Sequence, residues 1–100
     1  MPTVSKALAR TAAAVTNTTL YTVPAGTTAI VTNIVVDNTS AAAQTFTINL
    51  DGVALLSAAP LAAGASAFFD LKQTLAATKT ITASASATSV TFHISGVEIN

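Results

Sequence analysis

Cysteine and tryptophan are absent from this 100-residue chain, and histidine, tyrosine and methionine occur once each. Without cysteine there is no disulfide and no thiolate metal site. A lone histidine is a poor start for zinc, which takes three or four ligands. Charge is equally scarce: Lys6, Arg10, Lys72 and Lys79 balance Asp37, Asp51, Asp70 and Glu98, for a formal net charge of zero. Affinity for nucleic acid rests on a basic stripe that neutralises phosphates. Four dispersed cations do not form one, so no nucleic-acid partner is expected. No run approaches the roughly 18 apolar residues of a membrane span. The opening MPTVSKALAR lacks the apolar stretch of about 7–15 residues that marks a secretory signal. The expectation is a soluble product made in a cytoplasm, with no membrane partner. A surface this poor in charge repels its neighbours weakly, which suits a subunit of an assembly.

What the chain does contain is Ala, Thr, Val and Ile. Ala favours helix, the others favour strand, and periodicity arbitrates. In QTFTINL, Phe46, Ile48 and Leu50 alternate with Thr45, Thr47 and Asn49, the pattern of a half-buried strand. SVTFHISGVEI repeats it, with Val90, Phe92 and Ile94 on one face and Thr91, His93 and Ser95 on the other. TAIVTNIVVD sets Ile30, Ile34 and Val36 against Ala29, Val31, Asn33 and Val35, which predicts a central strand covered on both faces. The breaks agree. Pro24-Ala25-Gly26-Thr27 reads as a turn with proline second, and Asp51-Gly52 is a hairpin signal between QTFTINL and VALLS. Pro60 and Gly64 bracket a loop, and Ser95-Gly96 predicts a bulge after which Val97 and Ile99 take over the inward face.

About eight strands with short turns between them define an all-β domain, a single small antiparallel β-sandwich of jelly-roll type. The sandwich is assigned to residues 18–100. Residues 1–17 read as an extended N-terminal arm or a first strand, with a helical turn near Ala12–Ala14 as the alternative. LKQTLAATK offers one further helical turn.

No catalytic constellation emerges. Ser95, His93 and Asp70 form a triad only on paper, with no nucleophile elbow and no Gly-rich turn for an oxyanion. Asp37 and Asn38 with loop carbonyls supply oxygen ligands of the kind calcium prefers, but no DxDxDG spacing is present. The four glycines stand apart, so there is no phosphate-binding loop. The expectation is a non-enzymatic protein with no cofactor and no metal. Phe68 and Phe69 are adjacent, so one of them must point away from the core.

The run TTLYTVPAGTTAIVTNIVVDNTSAAAQTFTINLDGV and the closing VTFHISGVEI resemble small β-sandwich virion proteins of tailed bacteriophages. The likeness spans Thr18 to Ile99 and is most specific from Leu20 to Val31. It is a likeness of strand and turn types and carries over no site residue. It implies a structural protein of the virion, foremost a capsid decoration (cement) protein. Such a protein bridges subunits of the shell, with the major capsid protein or another virion protein as partner. The resemblance further implies a homo-oligomer, a trimer by preference, whose arm from Pro2 to Val15 reaches the shell. Lys6 and Arg10 would then meet an acidic surface. Val4, Lys6, Leu8, Arg10, Tyr21 and Phe69 are the candidate interface residues. The alternative is a tail- or fibre-associated module in which Tyr21 and Phe69 bind host glycans.

Overall fold

The computed structural model describes Thr3–Asn100; Met1 and Pro2, where the expected arm begins, lie outside the described residues. Eight strands follow one another: β1 (Thr3–Ala12), β2 (Thr18–Thr22), β3 (Thr28–Asn38), β4 (Gln44–Leu50), β5 (Val53–Leu61), β6 (Ser66–Leu75), β7 (Thr80–Ala85) and β8 (Val90–Ile99). They form two four-stranded antiparallel sheets, β1-β8-β3-β6 (sheet A) and β2-β7-β4-β5 (sheet B). That order is the jelly roll: the chain passes from one sheet to the other at every connection except the β4–β5 hairpin. The whole measures 45 × 21 × 17 Å.

Each turn has a local cause. Asp51 (φ 54°) and Gly52 (φ 74°) both take left-handed backbone, which the two-residue hairpin between Leu50 and Val53 requires. Thr27 N–H donates to Pro24 O (3.2 Å), so Pro24 stands first in its turn, not second, and Gly26 supplies the positive φ at the third position. Both helical alternatives give way to extended structure. The LKQTLAATK stretch runs as β6 into a turn closed by Lys79 N–H to Ala76 O. Ala13 N–H bonds Val90 O in sheet A, and Ala14 O accepts from Ala85 N–H in sheet B. The chain therefore crosses between sheets in two residues, and backbone pairing holds it extended. Pro60, expected in a loop, lies within β5, an edge strand where a missing N–H is tolerated.

The core lies between the sheets. Phe46, Ile48 and Leu50 of β4 face Val90, Phe92 and Ile94 of β8, all buried, with Ile81 and Ala83 of β7 beside them. Phe46 meets Phe92 edge to face (centroids 6.3 Å, 67°) and Phe69 at a tilt (6.3 Å, 58°). Three rings thus fill a space that Ala would leave empty.

The inward face of β3 departs from strict alternation. Ala29 and Val31 are buried, then Ile34, Val36 and Asn38, while Ile30 and Val35 are only half-buried. The cause is a bulge. Val31 pairs with Gly96 and Asn33 with Ser95, leaving Thr32 unmatched, and its Oγ1 donates to Ser95 O (3.3 Å). One extra residue reverses the parity, so β3 is central but covered by protein on its inner face only. A second bulge lies in β1, where Leu8 is unmatched between Ala7–Ser95 and Ala9–Ile94. The irregularity expected at Ser95-Gly96 therefore belongs to the neighbours of β8. Strand β8 itself runs on, and Glu98, not Val97 or Ile99, shares the inward parity of Ile94 and Gly96.

Asn38 closes the end of the sandwich where the β3–β4 and β5–β6 loops meet. Its side chain is fully buried. Nδ2 donates toward Ala42 O (2.8 Å), Leu61 O (3.2 Å) and Ala62 O (3.2 Å), and Oδ1 accepts from Ser40 N–H (3.0 Å) and Oγ (2.8 Å). Its own N–H donates to Ala65 O (2.9 Å).

Candidate interface

Within the stretch read as arm or first strand, Thr3–Ala12 forms a strand. β1 pairs with β8 from Thr3–Ile99 to Ala12–Thr91, because Leu8 and Ala13 have a core to join. Of the six candidate interface residues, Val4 (49% exposed) and Arg10 are open to solvent. Leu8 is not: as the bulge residue it turns inward and is buried. Lys6 is engaged within the protomer, its Nζ 3.4 Å from Glu98 Oε1.

Tyr21 donates its hydroxyl to Glu98 Oε2, a bond from sheet B to sheet A. Lys6, Glu98 and Tyr21 therefore clasp β1, β8 and β2 together at one end of the sandwich. Burial first, then the hydrogen bond to Glu98 and its negative charge, hold the phenol well above its ordinary value of 10.0. The folded state thus favours the neutral phenol. Its stabilising contribution is complete well below the unfolded value of about 10 and is lost as pH rises from there through the raised value of the folded state. Since Tyr21 is the only tyrosine and there is no tryptophan, ultraviolet titration reads this group alone. The expected result is no phenolate signal at pH 10–11 in the folded protein, followed by ionisation coincident with unfolding. Tyr21→Phe should lower stability by about 1–2 kcal/mol at neutral pH and flatten the alkaline decline. A midpoint near 10 in the folded protein would refute the clasp.

Phe69 faces the core against Phe46, and the outward ring is its neighbour Phe68, 72% exposed. The sequence carried the signal: Phe69 shares its parity with Ala67 and Leu71, Phe68 with Ser66 and Asp70. Part of Phe69 still lines a shallow cleft of about 140 Å³ with Leu55, Leu56 and Leu71, between the edge strands β5 and β6. Since Tyr21 is tied to Glu98 and Phe69 to the core, the two together do not make an aromatic platform for sugars.

The acids are held by neighbours. Asp70 Oδ1 accepts from Asn33 Nδ2 (3.3 Å), Asp37 Oδ1 from Ser66 Oγ (2.7 Å), and Asp51 pairs with Lys79 (3.7 Å). His93 is exposed on the outer face of sheet A, where strand β3 separates its strand from Asp70. Among the described residues no three His, Asp or Glu side chains gather in a metal-binding group.

The two outer faces differ in chemistry. Sheet B presents hydroxyls and amides: Thr45, Thr47 and Asn49 of β4 alternate with its core residues, and Thr80, Thr82 and Ser84 of β7 do the same. Sheet A presents Arg10, His93, Val35 and Phe68, aligned in one row across its four strands, with Asp37 and Asp70 in the rows on either side. Sequence reasoning missed Phe68, Val35 and the two acids as a group because their proximity depends on register between distant strands.

These features define a small jelly-roll β-sandwich with an asymmetric surface, one face hydroxyl-rich and one face mixed apolar and charged. Comparison with models of known protein families gives no match, and none is found among curated proteins. The likeness to phage virion proteins accordingly rests on strand and turn types alone.

Proposed function

We propose that the chain is a non-enzymatic structural protein of a tailed-phage virion, a capsid decoration protein that binds the shell and stabilises it by bridging subunits. The observation that carries this reading is the strand order β1-β8-β3-β6 over β2-β7-β4-β5, the jelly roll that recurs in virus capsids and also in lectins and cupins. A fold alone does not assign a function, so the residues must choose among these. Cupin-type metal chemistry needs a cluster of ligands that one histidine cannot supply, and the lectin reading lacks an aromatic platform. A rigid β module with little charge fits a surface lattice, where copy number turns modest contacts into avidity. The partner is the major capsid protein or another virion protein, and the location is the virion.

Quantitative mass spectrometry of purified virions tests this. The expected result is a copy number comparable with that of the shell subunit. A few copies per particle would move the protein to the tail, and its absence from virions would end the proposal.

A further inference from the structure

The outer face of sheet A carries charges that have no ionic partner among the described residues. Among the described residues the ion pairs are Lys6–Glu98 and Lys79–Asp51. Arg10, Asp37 and Asp70 remain on this face, and Lys72 sits where β6 loses register with β3. Their arrangement is polar in the plane of the sheet: Arg10 is on edge strand β1, while Asp37 and Asp70 are on β3 and β6 at the other side. Phe68, the most exposed large apolar side chain, stands on β6 in the same row as Arg10.

We propose that this face is a homotypic interface, occupied by a second copy packed face to face about a two-fold axis parallel to the strands. Such an axis lays β1 of each copy on β6 of the other. Arg10 then covers Phe68 of the second copy, between its Asp37 and Asp70, and the contact occurs twice. Charge complementarity selects this axis. The other in-plane two-fold, across the strands, would set Arg10 on Arg10 and the acids on the acids. Continuous pairing of sheet edges is disfavoured, because both edges of sheet A are bulged and carry cations, Lys6 and Arg10 on β1 and Lys72 on β6. The outer face of sheet B is lined along β4 and β7 by hydroxyls and amides, without a charged residue on those two strands, and its exposed apolar residues Val53 and Leu55 stand on edge strand β5. Four strands spaced about 4.8 Å apart, over about eight residues of about 3.3 Å each, cover roughly 500 Å² per copy. The roughly 1,000 Å² total is the lower bound for a specific interface, so the dimer is reversible.

This inference does not rest on the virion reading, since it concerns the purified chain alone. Sedimentation equilibrium over a concentration series tests it. The expected result is a monomer–dimer equilibrium with a dissociation constant on the order of micromolar. Phe68→Lys should abolish the dimer, because it removes the ring and sets a second cation against Arg10, with Phe68→Ser as a milder variant and circular dichroism as the folding control. Arg10→Asp should weaken association at least about tenfold, roughly the effect of one lost charge contact made twice. Adding Asp70→Arg to Arg10→Asp should restore it, since the swapped charges again face each other. A wild-type monomer at all concentrations, a trimer, a dimer indifferent to Phe68→Lys, or a double variant no better than Arg10→Asp would each overturn the proposal.

Discussion

Replacing Asn38 with alanine should cost about 3–4 kcal/mol, a large share of the roughly 5–15 kcal/mol available to a small domain. The side chain serves five polar groups on the β3–β4 loop and on the end of β5 with the loop after it, donating toward Ala42, Leu61 and Ala62 carbonyls and accepting from Ser40 N–H and Oγ. Each buried group left without a partner costs about 1–3 kcal/mol. The carbonyls nearest the surface regain water, which keeps the total below a simple sum. Asn38→Asp should be worse still. It keeps the acceptor but aims a buried negative charge at two or three carbonyl oxygens. Urea unfolding followed by circular dichroism measures both, with the slope checked for two-state behaviour. A loss below about 1 kcal/mol for the alanine variant would mean that the loops are held by other contacts.

Gly96→Val should prevent folding at ordinary temperature, and Gly96→Ala should cost about 3 kcal/mol or more, at the upper end for overpacked sites. A Cβ at Gly96 would lie 2.3 Å from Ile30 O and 2.9 Å from Leu8 Cδ1. The two bulges flanking β8 converge on this point, one bringing in a carbonyl and the other a side chain. The leucine can rotate away, whereas the carbonyl belongs to a central strand bonded on both sides. The double variant Gly96→Ala with Leu8→Ala separates these causes: it should recover none of the stability. Full recovery would show that Leu8, not the backbone, sets the limit.

The same two residues show what a linear sequence carries and what it withholds. Strand positions and the Asp51-Gly52 hairpin were legible, because alternation of Phe46, Ile48 and Leu50 with Thr and Asn is local. The inward face of β3 was not. Alternation groups Ile30 with Ile34, and only pairing with β8 reveals that Thr32 is an extra residue. Ser95-Gly96 drew attention as a break, yet the glycine is there to receive bulges from its neighbours. Asn38 stands out in the sequence only as an oxygen ligand of the kind calcium prefers, since a ligating asparagine and a loop-bridging one are identical in sequence. Of the candidate interface residues, Val4 and Arg10 stand exposed to solvent. Leu8 and Phe69 were misplaced, the first by a bulge and the second for want of comparing parity with Ser66 and Asp70.

The pairing of β1 with β8 has a consequence for synthesis. Among the described residues the first strand pairs with the last alone, with Thr3 opposite Ile99. Leu8 therefore has no completed core to enter until β8 has left the ribosome, and the loop that must close spans nearly the whole domain. Closure entropy grows only slowly with such a span, but non-local pairing places folding in the millisecond-to-second range of all-β domains. During translation, seven strands wait with the edge of β3 unpaired where β8 will insert. That edge, fully buried once folding ends, is the segment that chaperones or neighbouring nascent chains would meet first.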